Sequence, residues 1–210
     1  MYDLFNPVPE NIKTLSDIPK VLNDTTAVTG ISYIPNFLTG EEETLFINRI
    51  NSGQWLTDIK RRVQHYGYKY DYKARNIDYS MFLGLLPSWV QPVAKRLQSE
   101  GYFEVEPDQV IINEYNPGQG ITNHIDCEPC FGETIVSISM GSYCMMDFIN
   151  LQTKHKVEVL LEPRSMVAIR GEARHNWSHG IPQRKADLYH GLRFNRQVRL
   201  SMTFRKVILR

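Results

Sequence analysis

Hydrophobic and polar positions along the chain follow two different periods. Up to Gly101 the apolar residues recur at helical spacing in two places. Thr39-Gly40-Glu41-Glu42 has the spacing of a capping box and predicts a helix starting near Glu41, with Leu45, Phe46 and Ile50 on its apolar face. A second helix is predicted over Ser88–Glu100, with Val90, Val93, Ala94 and Leu97 turned inward, Pro92 in its first turn and Gly101 as its stop. Beyond Gly101 the pattern changes to short runs rich in β-branched and aromatic residues. These are Gln109–Tyr115, Thr134–Met140, Tyr143–Ile149, Lys156–Leu161, Ser165–Arg170 and Val198–Ile208, separated by Asn116-Pro117-Gly118, Gly141, Pro163 and Gly171. Many short strands at this spacing predict an α+β chain with a mainly β core, closed or sandwiched. Val136, Ile138 and Met140 alternate as one core-facing row. Arg61–Tyr72 reads as a hairpin outside that core. Residues 1–30, polar with scattered prolines, read as an N-terminal extension, and residues 31–210 as the domain.

Composition narrows the class. A chain of 210 residues, 42% of them apolar, suits one globular domain with a real core. No apolar run approaches the ~18 residues of a membrane span, and the N-terminus lacks a basic start followed by an apolar stretch. Three cysteines, Cys127, Cys130 and Cys144, argue against a disulfide framework and fit a reducing cytoplasm. The net charge of +1 is unevenly distributed. Residues 1–58 hold 3 Lys/Arg against 8 Asp/Glu, and the remainder 21 against 15. A basic body is compatible with a polyanionic partner, although an ordinary mixed surface gives the same count. No feature calls for an obligate protein partner.

The candidate chemistry begins at His124-Ile125-Asp126. On an extended segment, residues i and i+2 project to one side, so imidazole and carboxylate can share a metal. A second histidine from elsewhere would complete the 2-His-1-carboxylate arrangement that suits non-haem Fe(II) and oxygen chemistry. The dipeptide spacing alone is weak, because a chain with 23 acids and six histidines nearly supplies one by chance. The C-terminal strand adds context. Alternation puts Arg199, Ser201, Thr203 and Arg205 on one face and Leu200, Met202 and Phe204 on the other. Two arginines facing inward call for an anionic partner, and a dicarboxylate would satisfy both. The alternative is that this face lies in water, as on a half-exposed antiparallel strand.

Taken together, the motifs resemble the AlkB family of Fe(II)/2-oxoglutarate dioxygenases. The matching residues are Asn113-x-Tyr115 with Pro117-Gly118, His124-x-Asp126, Trp177-x-His179-Gly180-Ile181, and Arg199-x-Ser201-x-Thr203-Phe204-Arg205, over roughly Arg61 to Ile208. The resemblance implies a double-stranded β-helix (jelly roll) with flanking helices. It implies iron ligation by His124, Asp126 and His179, and 2-oxoglutarate and dioxygen as co-substrates. Asn113, Tyr115, Arg199, Ser201 and Arg205 would contact 2-oxoglutarate, Arg199 at its distal carboxylate and Arg205 near its other end. In the family's bacterial repair enzymes an Asn stands where this chain has Ser201. His155, His175 and His190 compete for the third ligand position, but only His179 has the His-Gly-Ile context.

The implied substrate is a modified nucleobase in DNA or RNA. Lys60–Lys73 interleaves basic residues with Tyr66, Tyr68, Tyr70 and Tyr72, a combination that can grip a backbone and stack a base. The same segment resembles the family's nucleotide-recognition lid, with Arg62, Gln64 and Tyr66 as candidate contacts. An aromatic strand face packed on the body is the competing reading. Glu128 would hydrogen-bond a flipped base, or else is a solvated loop acid. The lid and the Gly118–Ile121 turn look more like the branch that hydroxylates wobble uridines in tRNA, whose additional RNA-binding and methyltransferase modules do not fit in 210 residues. Demethylation and stable hydroxylation therefore both remain open. So do a dioxygenase of protein side chains or small molecules and a nucleic-acid-binding pseudoenzyme. Cys127-Glu128-Pro129-Cys130 beside a histidine lacks the four ligands of a structural zinc site and the βαβ setting of a redox pair, and reads as a loop without a metal role.

Overall fold

The structure is a computed structural model that describes residues 27–57 and 59–209. Most of the expected extension, residues 1–26, lies outside the described residues. Two antiparallel sheets face each other. The larger one has six strands: β1 (Ile31–Ile34), β2 (Val63–Tyr66), β3 (Gln109–Tyr115), β5 (Phe131–Gly141), β8 (Met166–Ile169) and β12 (Arg199–Val207), in the order β1-β8-β5-β12-β3-β2. The smaller one has β4 (Ile121–His124), β6 (Cys144–Asn150), β7 (Lys156–Leu161) and β9 (Trp177–Ile181), in the order β4-β9-β6-β7. A hairpin of β10 (Ala186–Tyr189) and β11 (Leu192–Asn195) stands apart from both. Chain order is far from spatial order, as expected of a jelly roll.

Strand alternation decides what each face of the larger sheet meets. On its outer face Val110, Ile112, Val136, Ile138, Met140, Leu200, Met202 and Phe204 form one apolar layer. Helices α1 (Gly40–Asn51) and α2 (Gln91–Ser99) cover it with Phe46, Ile50, Val93, Ala94 and Leu97. The Thr39 capping box is formed in both directions, which fixes the start of α1. Pro92 falls in the first turn of α2, where its missing N–H costs nothing. The inner face meets the smaller sheet across a second apolar cluster, including Tyr115, Phe148, Val167, Ile169, Trp177 and Ile181. Among the described residues no helix is long and apolar enough to cross a membrane.

Two expectations need correction. Arg61–Tyr72 is not a hairpin outside the core. Its first part, β2, is the edge strand of the larger sheet, with Val63 opposite Asn113 and Tyr66 opposite Val110. At Gly67 the backbone turns through φ +79°, and a side chain there would overlap the Asp108 carbonyl. Beyond that turn the four tyrosines no longer share a face. Tyr66 packs into the helix-covered layer, while Tyr68 and Tyr70 join a third cluster with Ile77, Phe131 and Val207. The cysteine count also gave no hint of pairing, yet Cys127 and Cys130 are joined by a local disulfide with Cα atoms 5.3 Å apart. The turn that carries them follows Asp126 directly.

Candidate active site

Two short strands of the smaller sheet bring the predicted metal ligands together. His124 ends β4 and sits directly opposite His179 of β9. The approach is close because Gly180 follows His179: a Cβ on Gly180 would lie 2.8 Å from the Asn123 amide nitrogen and from the Ile121 carbonyl oxygen. Asp126 lies two residues beyond β4. One ligand atom from each of His124, Asp126 and His179 falls within 4.8 Å of the other two. His124 Nδ1 lies 2.9 Å from the Thr122 carbonyl oxygen, so this nitrogen carries the proton and Nε2 keeps its lone pair. Burial lowers the His179 pKa to about 4, and the imidazole is therefore neutral at neutral pH. Burial pulls Asp126 upward, but Arg205 foremost, with His179, His124 and Arg174, holds it well below the usual carboxylate range. The competing histidines lie elsewhere: His155 packs against Trp177, His190 against Tyr189, and His175 bridges two glutamates.

The inner face of β12 closes the other side. Arg199, Ser201 and Thr203 are 2%, 3% and 8% exposed, which overturns the alternative of a solvated face. Arg199 Nη2 donates to Ser139 Oγ at 2.8 Å, and its guanidinium lies 5.4 Å from the centre of the Tyr115 ring. Ser201 is paired in register with Asn113 on β3 and with Ser139 on β5. Arg205 donates twice to Asp126 Oδ1, from Nε at 2.9 Å and Nη2 at 2.6 Å.

Unpartnered atoms test whether these residues fit a metal and an oxoacid. Asp126 Oδ2, Arg199 Nε and Arg205 Nη1 are all buried without a hydrogen-bond partner. A buried carboxylate oxygen facing two imidazoles lacks a cation, Arg199 lacks an anion, and Arg205, although paired with Asp126, keeps one donor unused. A divalent cation and a dicarboxylate supply both needs.

A cavity of about 560 Å³ opens onto this group. Its lining includes Asn113, Tyr115, His124, Asp126 and Arg205, together with Lys60, Arg61, Tyr70, Tyr72, Arg75, Phe131 and Gln183. The candidate substrate contacts are not among the lining residues. Arg62 pairs with Glu114 and lies 4.3 Å over the Trp55 ring. Gln64, 1% exposed, donates to the Ile50 carbonyl of α1 and accepts from the Tyr66 hydroxyl. Register explains this: Gln64 and Tyr66 lie opposite Ile112 and Val110, on the helix-covered face. Glu128 also lies outside this cavity, in a shallow neighbouring one, and binds His175 Nδ1 at 2.8 Å. Arg61, Tyr70, Tyr72 and Arg75 line the cavity instead. Nothing in the sequence marked Arg174, a buried arginine that donates to the Asp126 carbonyl at 2.9 Å.

His175, next to Arg174, provides a pH-dependent latch on the same turn. Glu128 first and Glu133 second raise its pKa. A raised histidine pKa contributes stability that is fully present below the unfolded value of about 6.5 and is lost as pH rises through the folded value. Its half-exposed setting keeps the contribution small. NMR titration should place the His175 midpoint above that of a free imidazole, and Glu133→Gln should bring it down. A midpoint at the ordinary value in the wild type would show that the bridge does not form.

Residues 55–205 match the model of the 2OG-Fe(II) oxygenase superfamily. The chain is 32% identical over 182 residues to an uncharacterized protein of Acanthamoeba polyphaga mimivirus, covering 86% of each. It is 36% identical over 173 residues to the tRNA (carboxymethyluridine(34)-5-O)-methyltransferase ALKBH8 of Mus musculus, covering 75% of this chain but 25% of that protein. In fold it resembles the solved structure of OsALKBH1 with a TM-score of 0.60 at 18% identity, covering 84% of this chain and 96% of that one. With a double-stranded β-helix, a His-Asp-His group at its mouth and this match over most of its length, the chain belongs to the 2OG-Fe(II) oxygenase superfamily, among its AlkB-like members.

Proposed function

We propose that the chain is an Fe(II)- and 2-oxoglutarate-dependent dioxygenase that oxidises a modified nucleobase in nucleic acid, with RNA favoured over DNA. The observation that carries the reading is the set of complementary unpartnered atoms: Asp126 Oδ2 beside two histidines, and Arg199 Nε and Arg205 Nη1 on the facing strand. His124, Asp126 and His179 would hold the metal. Asn113, Tyr115, Arg199, Ser201 and Arg205 would hold 2-oxoglutarate. When bound, iron with 2-oxoglutarate and dioxygen supplies C–H oxidation coupled to decarboxylation of the oxoacid to succinate.

The protein's own part is to orient and to shield. Thr122 sets the His124 tautomer, Arg205 fixes Asp126, and Ser139 orients Arg199. Tyr70, Tyr72, Phe131 and Ile111 line the cavity with apolar surface that limits water near the reacting carbon. Lys60 and Arg75 add cationic groups to its lining, which suits a polyanionic substrate. The preference for RNA rests on the mouse relative, whose name refers to a tRNA uridine.

Turnover tests the reading. Purified protein with Fe(II) and 2-oxoglutarate would be offered bulk tRNA, methylated RNA and methylated DNA, with nucleosides and succinate read by mass spectrometry. Succinate together with an altered nucleoside is expected, and His124→Ala should lose both. Absence of succinate under all conditions would sink the enzyme reading. Succinate with peptides alone would redirect it to protein side chains.

A further inference from the structure

Arg61 and Arg62 are neighbours with opposite surroundings. Arg62 lies on the outer side, held by Glu114 at 2.6 Å and by the Trp55 ring. Arg61 lines the cavity. Its Nε donates to Asn113 Oδ1 at 2.7 Å, and its guanidinium carbon lies 5.5 Å from the centre of the Tyr115 ring. That ring also lies 5.4 Å from the Arg199 guanidinium. A residue from the segment leading into the edge strand thus touches both β3 side chains at the oxoacid end of the cavity. Each contact has a physical consequence. A charged donor on Oδ1 fixes the orientation of the Asn113 amide and leaves Nδ2 as its donating group. A guanidinium against Tyr115 holds that ring by cation–π attraction.

We propose that Arg61 is a positioning residue for 2-oxoglutarate, acting through Asn113 and Tyr115, so that the segment covering the cavity and the co-substrate are energetically coupled. The inference rests on the reading above that Asn113 and Tyr115 contact 2-oxoglutarate. Under this coupling, loss of Arg61 appears in 2-oxoglutarate binding and leaves nucleic-acid binding little changed. A residue that met the substrate directly would show the reverse.

Titration calorimetry of 2-oxoglutarate into protein loaded with Mn(II), without oxygen, reads the coupling in the absence of turnover. Arg61→Gln should weaken binding about tenfold, which corresponds to about 1.4 kcal/mol. Arg61→Lys, which keeps a donor but not the planar fork, should recover part of the loss. Arg62→Ala should lower thermal stability and leave 2-oxoglutarate affinity as in the wild type. In steady state, Arg61→Gln should raise KM for 2-oxoglutarate with kcat nearly unchanged. Asn113→Ala separates the two layers of the claim. If Asn113→Ala leaves 2-oxoglutarate affinity unchanged, the underlying site assignment fails. If Asn113→Ala weakens binding while folded Arg61→Gln and Arg61→Lys do not, or if they raise only KM for nucleic acid, the positioning role is overturned.

Discussion

Asp126→Ala is expected to abolish turnover and to destabilise the metal-free protein as well. The two losses have separate causes. The first follows from the ligand group, in which one atom each from His124, Asp126 and His179 converges within 4.8 Å. Removing one of three ligands from a 2-His-1-carboxylate site should leave iron content near background and activity at least about a hundredfold lower, in line with the sensitivity of metal sites even to changes around the ligands. The second follows from what else the carboxylate does. It is the acceptor for both Arg205 donors, and its side chain is 4% exposed. Removing it leaves a nearly buried guanidinium without its partner, a change that costs about 3–5 kcal/mol when one member of a buried pair is deleted. Asp126→Asn separates the effects. The amide oxygen can still accept from Arg205, so much of the stability should remain, while iron binding is lost with the charge. Iron content by atomic absorption and unfolding of metal-free protein in urea check both. Wild-type iron content in Asp126→Ala would refute the ligand assignment.

The parts of the fold that could be read from the chain are those where alternation is long. Gln109–Tyr115 and Lys156–Leu161 coincide with β3 and β7, and the Arg199–Arg205 alternation separates the two faces of β12, although burial of the arginine-bearing face is open in the sequence and shown only by the structure. Strands β4 and β9 have only 4 and 5 residues, and their Asn, His, Ser and Gly positions break any apolar alternation. Their chemistry marked them even though their pattern did not. β1 and the hairpin β10–β11 were missed for the same reason of length. The placement of Arg62, Gln64 and Tyr66 away from the cavity has a different origin. In a strand, a one-residue change of parity moves every side chain to the opposite face. The motif around Arg62, Gln64 and Tyr66 marks a segment but carries no parity, which is set by the pairing of Val63 with Asn113. That pairing is a long-range contact and leaves no local signature. The same is true of Arg174, whose partner carbonyl is 48 residues away.

Arg199→Leu should give opposite signs in two measurements: weaker 2-oxoglutarate binding by about a hundredfold or more, and a more stable protein when no co-substrate is present. Arg199 is 2% exposed, and no carboxylate of the described residues lies within ion-pair distance of it. Its protein contacts are a neutral hydroxyl, Ser139 Oγ, and the face of Tyr115, and its Nε has no partner. A buried cation in such a setting is destabilising by several kcal/mol until an anion arrives. A leucine, although shorter, removes that cost and leaves an apolar side chain beside Tyr115. The same substitution deletes the guanidinium on the inner face of β12 that is not committed to Asp126, so the distal carboxylate of the oxoacid would lose its counter-charge. A truncated charge pair of this kind is worth about 2–5 kcal/mol of binding. Thermal melts of Mn(II)-loaded protein with and without 2-oxoglutarate distinguish the terms, because a ligand that binds only the folded state raises Tm with its concentration. Wild type should melt lower than Arg199→Leu without ligand and rise clearly with it, whereas the variant should start higher and shift little. Ser139→Ala, which removes only the hydroxyl that orients Arg199, should weaken binding by about 1 kcal/mol and leave the ligand-induced rise in place. A ligand-induced rise in Arg199→Leu equal to that of wild type would mean that the oxoacid is held elsewhere, and the buried guanidinium would then need another anion.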